Sequence, residues 1–240
     1  MVVLIIQYIR LMACYQRGLV VLYLLRKMVL FFHEKDIKDI SEEYGDGIFV
    51  TLAFNPESSP SDEIQDLYAK GDKLTGPFVR LFKDFKNEIT RIASTSFFLI
   101  PDKDGKAEVE FGEPEWDVPE DYGDGKVRIE PDAKIDNNFI IIEGKSNLIE
   151  GSELIFQLID EDEYIITPRV MANTNPDGSF FMSFRITEEI KEHEQIFVRV
   201  SFEPSEYEWD TVVEHYGAEG ENISGELVED GEASIVVPVN

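Results

Sequence analysis

The chain of 240 residues is poor in cysteine, histidine and basic residues, and each shortage excludes a class of protein. Its one cysteine, Cys14, leaves no disulfide possible within the chain. The three histidines, His33, His193 and His215, have no partners at the spacing of metal ligands. Lysine and arginine number 22 against 49 acidic residues, for a net charge of −27, whereas a nucleic-acid partner requires a basic face. The composition therefore argues against a disulfide scaffold, a zinc protein and a nucleic-acid-binding protein.

Motifs that carry catalysis are also missing from the sequence. It contains no nucleophile elbow, no phosphate-binding loop and no His-Glu-x-x-His helix. We therefore predict a protein that is not an enzyme and that has no cofactor, with calcium as the one ion left open by the many acidic residues.

The few basic residues are unevenly placed. Residues 1–33 carry four basic residues and no acidic one, whereas the remainder carries 18 basic and 49 acidic residues. The same stretch is the most apolar part of the chain, although Arg10 and Arg17 interrupt it. We predict an apolar N-terminal helix that could anchor the protein to a membrane through residues 1–32.

Two other interpretations of residues 1–33 stay open. Leu11-Met12-Ala13-Cys14 resembles a bacterial lipobox, in which case the segment is a signal and Cys14 is lipidated. Alternatively, a one-base shift of the reading frame over Lys27–Phe32 gives codons that can encode the sequence of Asp177–Phe181. The segment could therefore be an out-of-frame translation. The nucleotide sequence of the gene would distinguish the three.

One unit occurs twice, over Ile48–Val79 and Ile196–Val228. At an offset of 148 residues, Ile48–Pro56 aligns with Ile196–Pro204, and both alternate as a half-buried strand does. A short helix follows in each copy, and Ser205–Glu208 has the pattern of a capping box for the second one.

Matched residues continue through the helix and the turn after it. Ile64 and Tyr68 match Val212 and Tyr216, each pair four residues apart on one helix face. Ser96–Pro101 then looks like Ser234–Pro238, the last strand of the chain. The duplication predicts two related modules.

Upstream of the second copy, short apolar runs recur at regular spacing, and Asn175–Gly178 has the composition of a hairpin turn. The predicted strands are Phe139–Ile142, Leu154–Ile159, Tyr164–Ile166, Val170–Met171, Ser179–Phe184, Ile196–Phe202 and Ile235–Val237. We predict a mainly β protein with a complete Ig-like antiparallel β-sandwich over residues 128–240.

The first copy contains only the later half of such a sandwich. We predict a partial or truncated module over residues 34–111, with a short strand at Ala107–Phe111, and an acidic linker over residues 112–127.

The repeated signature consists of a Phe-x-Pro strand end, a Tyr-(Gly/Ala) helix end and a (Thr/Ser)-Gly turn. It resembles that of uncharacterised tandem Ig-like modules in surface proteins and lipoproteins of Gram-positive bacteria. The resemblance covers about residues 35–111 and 128–240 and implies an extracellular or cell-surface module without enzymatic activity.

Two sets of side chains are candidates for ligand binding. Acidic residues at the ends of the predicted sandwich could bind calcium, namely Asp102, Asp104, Asp160 and Asp162. Aromatic residues in or beside the second helix could form a glycan platform, although a helix that covers the sandwich edge explains them more simply: Tyr207, Trp209 and Tyr216. The leading hypothesis is a structural or interaction module with a protein or cell-wall glycan partner. The alternative is a carbohydrate-binding or calcium-dependent adhesion module.

Overall fold

A computed structural model describes nine ranges of the chain, which divides into two compact units. The described residues are 9–13, 48–57, 62–68, 73–83, 88–99, 107–111, 114–136, 138–205 and 209–240. The first unit comprises Met1–Arg80 and Thr90–Glu115, and the second comprises Leu81–Ile89 and Trp116–Asn240.

Within its described residues, the early part of the chain forms five strands and one helix. They are β1 (Ile9–Ala13), β2 (Ile48–Phe54), α1 (Asp62–Tyr68), β3 (Val79–Lys83), β4 (Ile89–Leu99) and β5 (Ala107–Phe111). One antiparallel pair joins β1 to β5, and a second sheet has the order β2-β4-β3. The predicted strand at Ala107–Phe111 is therefore confirmed.

The predicted N-terminal helix is wrong at Ile9–Ala13. These five residues are extended, and each lies opposite a residue of Ala107–Phe111. Backbone hydrogen bonds to a neighbouring strand override the helical tendency of a short apolar run, since such runs suit either structure. The rest of the predicted anchor, including Cys14, lies outside the described residues.

Where the structure describes it, the later part of the chain has eight strands and two helices. They are β6 (Ile129–Asp136), β7 (Phe139–Ser146), β8 (Glu153–Ile159), β9 (Val170–Asn173), β10 (Ser179–Arg185), α2 (Glu188–Lys191), β11 (Phe197–Phe202), α3 (Asp210–Tyr216), β12 (Val228–Glu229) and β13 (Glu232–Pro238). They form a three-stranded sheet β10-β7-β6 and a five-stranded sheet β12-β13-β11-β8-β9.

The two sheets enclose one apolar core and make a β-sandwich. Ile140 and Ile142 of β7 are fully buried, as are Val198 and Val200 of β11 in the opposite sheet. The two sheets meet at Phe156 of β8 and Phe180 of β10, whose ring centroids are 5.8 Å apart. The predicted mainly β architecture is thus present.

Most predicted strands of the sandwich are confirmed, and the exceptions have physical causes. Tyr164–Ile166 forms no strand, although Ile165 makes one bridge to Ile159. The sequence did not predict β6 because it is a polar edge strand that contains Pro131 and buries only Ile129 and Ala133.

The turn at Asn175–Gly178 connects the two sheets instead of joining a hairpin. Gly178 has φ of +73°, and its N–H donates to the carbonyl of Asn175 at 2.9 Å. The strand before the turn is β9 in one sheet, and the strand after it is β10 in the other.

Helix α3 begins later than predicted. Its N-cap residue is Trp209, which makes no side-chain capping bond, so the helix does not start at the predicted box Ser205–Glu208. Val212 and Tyr216, which the sequence placed on one helix face, are both fully buried. The predicted helix end after Tyr216 is confirmed, since Gly217 caps the helix with φ of +83°.

The two segments that the sequence aligns share their element order and one ring contact. Phe54 and Tyr68 meet edge to face with centroids 5.4 Å apart, and the matched rings of Phe202 and Tyr216 do the same at 5.2 Å. The sheet orders β2-β4-β3 and β11-β13-β12 also correspond.

The strand register corrects the predicted alignment at the end of these two segments. Phe54 lies opposite Ala93, as Phe202 lies opposite Ala233. Ser234 therefore corresponds to Ser94, two residues before the position that the sequence alignment indicated.

Residues 116–127 belong to the second unit, so they are not a free linker. Val127 is part of the sandwich core, and the Gly123 N–H donates to the carbonyl of Asn147 at 2.6 Å. The boundary between the units therefore falls at Glu115 and Trp116, inside the predicted linker of residues 112–127.

Candidate functional site

The sandwich has a closed, polar end that is organised by the buried side chain of Asn147. Its amide nitrogen donates to the carbonyls of Asp121, Asp124 and Lys126 at 3.2, 3.4 and 2.8 Å. Its side-chain oxygen accepts the Arg128 N–H at 2.8 Å. One side chain therefore satisfies four backbone groups and holds the segment before β6 against the sandwich.

Two tyrosine hydroxyls cover the neighbouring loop after β7. The hydroxyl of Tyr216 accepts the Ile149 N–H at 3.1 Å, and that of Tyr122 accepts the Glu150 N–H at 2.7 Å. Burial raises the pKa of Tyr216 to about 12, and burial also raises the pKa of Tyr122. Both phenols therefore stay protonated at neutral pH and serve as fixed hydrogen-bonding groups.

A bidentate ion pair closes the outside of this end. Arg128 donates to both carboxylate oxygens of Asp121, at 2.9 and 2.7 Å. The hydrogen bond from Arg128, with its charge, holds the pKa of Asp121 below the ordinary value.

The predicted glycan platform is not a surface. Trp209 is 7% exposed and Tyr216 is fully buried, so neither ring has a face free to stack on a sugar. The Trp209 ring instead occupies the space where a side chain on Gly151 would lie. Tyr207 lies outside the described residues. Packing of α3 over the sandwich edge, the simpler of the two interpretations, agrees with these positions.

The opposite end of the sandwich carries an acidic cleft of about 200 Å³. We define the acidic cleft by the residues Asp160, Glu161, Asp162, Glu192, His193 and Glu194, beside which Gln195 also lies. Two of the four predicted calcium ligands, Asp160 and Asp162, thus lie in one cleft, whereas Asp102 and Asp104 are outside the described residues.

Asp160 has a structural role within this cleft. One of its carboxylate oxygens accepts the N–H groups of Asp162 and Tyr164 at 3.0 and 2.9 Å, which shapes the turn after β8. The other lies 3.7 Å from Nδ1 of His193. Within the described ranges, no group of three or more His, Cys, Asp or Glu side chains is arranged to hold a metal ion. The cleft lining also contains no hydroxyl or thiol that could act as a nucleophile beside His193.

Sequence reasoning missed Asn147 and Tyr122. An asparagine between a strand and a glycine-containing loop is typical of any turn. The sequence therefore carried no sign that the Asn147 side chain would make four buried hydrogen bonds. Tyr122 lay in the predicted linker, where no partner could be assigned.

No helix within the described ranges is both long enough and apolar enough to cross a bilayer.

Comparisons with known proteins identify no family. No protein-family model matches the chain, and no curated protein matches it. A crystal structure of a DUF3823 family protein from Parabacteroides merdae is similar over 53% of this chain and 80% of that one, with 14% identity and a TM-score of 0.26. A likeness at this level supports no conclusion about fold or function.

Proposed function

We propose that the chain is a non-enzymatic cell-surface or secreted protein, built from tandem Ig-like modules that serve structure or interaction. The observation that carries the proposal is the recurrence of one packing unit. The rings of Phe54 and Tyr68 cross at 77°, and those of Phe202 and Tyr216 cross at 78°. A shared contact between strand and helix supports a common module design, since unrelated segments would have no reason to reproduce it.

The strand order of the second unit supports an Ig-like assignment. Three strands, β10-β7-β6, face a sheet whose centre is β13-β11-β8 with β9 at one edge. In Ig-type sandwiches, strands A, B and E face strands C, F and G in the same chain order. The antibody-type pair of cysteines is missing from the sequence, so the proposed relation concerns architecture.

Charge supports a location outside the cell. The chain after residue 33 carries 49 acidic and 18 basic residues, which favours a solvated and repulsive surface. The extended Ile9–Ala13 does not suit a membrane-spanning helix, but the basic and apolar composition of residues 1–33 fits an export signal or a lipid anchor at Cys14. Either is in line with the resemblance to Gram-positive surface proteins and lipoproteins.

Fractionation of cells that express the intact chain tests the proposal. We expect the intact chain to be recovered in the membrane or secreted fraction. We also expect protease added to whole cells to degrade it. Recovery of the intact chain only in the cytosol would contradict the proposal.

The alternative function, a carbohydrate-binding or calcium-dependent adhesion module, has less support. The described candidates for glycan stacking are buried, and one oxygen of Asp160 is occupied by two backbone N–H groups. A thermal-shift series with calcium and with glycans distinguishes the two functions. An unchanged melting temperature fits the plain interaction module, and a rise with either ligand would favour the alternative.

A further inference from the structure

Four large apolar side chains are exposed along the loop that leads from β8 into β9. Tyr164, Ile165, Val170 and Met171 are 70%, 62%, 37% and 55% exposed, and we refer to them as the apolar strip. Scattered apolar residues are normal on a protein surface, but a run confined to one short segment is typical of an interaction site.

Strand pairing places two of these side chains on one face. Ile165 lies opposite Ile159 of β8, and Met171 lies opposite Ile155. Directly paired residues point to the same side of a sheet, and so do residues four apart on one strand. Ile165 and Met171 therefore share the outer face, about 13 Å apart along the strand direction.

The strip also borders an edge of the five-stranded sheet. In the part of the chain that the structure describes, β9 pairs with β8 on one side and with no strand on the other. Outward backbone groups of an edge strand can pair with an added extended segment. An extended polypeptide therefore fits this edge better than a helix does.

The acidic cleft adjoins the strip directly. Asp160 donates its N–H to the carbonyl of Tyr164 at 3.0 Å, so the cleft and the strip meet in one turn. The two arginines close to the strip do not neutralise the cleft. Arg169 is paired with Glu203 and Arg199 with Glu163, at 2.8 and 2.9 Å.

We infer that the outward-facing Ile165 and Met171 of the apolar strip, together with the acidic cleft, form one docking surface for a basic, apolar polypeptide segment that binds in an extended conformation. The inference rests on the proposed interaction function and names its partner class. Residues 34–240 of a second copy carry 49 acidic against 18 basic residues and would be repelled, so we assign the segment to a different protein. Tighter binding of a peptide copied from the basic residues 18–27 of this chain would overturn that assignment. For a segment antiparallel to β9, the geometry predicts two apolar side chains four positions apart, followed by lysine or arginine at the cleft.

Three synthetic peptides test the chemistry of this surface. The first has two leucines four positions apart followed by two lysines, the second replaces both lysines by glutamate, and the third replaces both leucines by serine. We expect fluorescence anisotropy at about 0.15 M salt to show binding of the first peptide and at least tenfold weaker binding of the other two. Equal binding of the serine peptide would overturn the inference, because the acidic charge alone would then explain the affinity.

Paired variants test the location. One double variant combines Ile165→Ser with Met171→Ser, and a second combines Glu161→Gln with Glu194→Gln. Each should weaken binding of the first peptide at least tenfold. The controls lie near the opposite end of β8. For the apolar pair the control is Val118→Ser, since Val118 is 50% exposed. For the acidic pair it is Glu226→Gln with Glu229→Gln, since both residues are exposed and the change in charge is the same. We expect the controls to bind as the unmodified chain does. If the test and control variants lose equal peptide affinity while their melting temperatures stay unchanged, the proposed site is overturned.

The outcomes separate this inference from the proposed function. A chain that is recovered at the cell surface but binds none of the peptides would overturn the docking surface alone. A chain that binds the first peptide with the expected selectivity but is confined to the cytosol would overturn the proposed location and leave the docking surface supported.

Discussion

The ring of Tyr216 meets the ring of Phe202 edge to face, with centroids 5.2 Å apart and planes at 78°. The same tyrosine accepts the Ile149 N–H through its hydroxyl at 3.1 Å. One side chain thus joins helix α3 to strand β11 by its ring and to the loop after β7 by its oxygen. The stability of this end of the sandwich should depend on both contacts.

Tyr216→Phe should separate the two contacts, because it keeps the ring and removes the acceptor. We expect the free energy of unfolding in urea to fall by about 1–3 kcal/mol, the range for a hydrogen-bonding group left without its partner. Tyr164→Phe is the matched control, since Tyr164 is 70% exposed and should change stability by less than about 0.5 kcal/mol. Equal stability of the two variants would show that water replaces the lost hydroxyl.

Alkaline pH should destabilise the chain through the same residue. Burial raises the folded-state pKa of Tyr216 to about 12 from 10.0, so its contribution to stability is fully present below pH 10 and is lost as pH rises towards 12. Between pH 10 and 11 the free energy of unfolding should fall by about 1 kcal/mol more in the unmodified chain than in Tyr216→Phe. Parallel pH curves for the two proteins would contradict the assignment.

Asn147→Ala should loosen the segment that precedes β6. The substitution leaves the carbonyls of Asp124 and Lys126 and the Arg128 N–H without this partner, whereas the carbonyl of Asp121 still accepts the Asp124 N–H at 3.0 Å. We expect a loss of about 2–4 kcal/mol in unfolding free energy. Hydrogen exchange should show faster exchange at Gly123 and Arg128. The control is Asn222→Ala, an exposed asparagine whose amide makes a 3.3 Å bond to the carbonyl of His215. Unchanged exchange at Arg128 would argue against the organising role of Asn147.

Gly151→Ala should destabilise the chain through Trp209. Gly151 has φ of +90°, and a side-chain carbon there would overlap the indole ring, so we expect a loss of about 2–4 kcal/mol. Combining Gly151→Ala with Trp209→Leu should cost at least about 0.5 kcal/mol less than the sum of the two single losses, because the smaller side chain relieves the overlap. Additive losses in urea unfolding would assign the whole effect to backbone strain.

Local periodicity was enough to predict most strands of the second unit. Leu154–Ile159 and Ile196–Phe202 have apolar residues on the side that faces the core, and both are strands with that side buried. Polar edge strands escape this signal, as β6 did, because only two of its residues reach the core.

Candidate sites were harder to predict than strands. Asp160 and Asp162 looked like calcium ligands because acidic residues abound near predicted turns. The structure shows that one carboxylate oxygen of Asp160 is used by its own backbone turn. The apolar strip had been predicted in part as a strand, Tyr164–Ile166, because apolar content alone does not distinguish a buried strand from an exposed loop.

The sequence by itself determined that this is a mainly β, strongly acidic chain, and it predicted that one strand–helix–strand unit recurs. Period-two alternation and the 148-residue offset are properties of the chain order, so no tertiary information was needed to see them. Only the tertiary structure decided that Trp209 and Tyr216 pack inside the sandwich and that Tyr164 and Ile165 stay outside. Burial depends on which strands and loops meet across the fold, and those contacts join residues that are far apart in sequence.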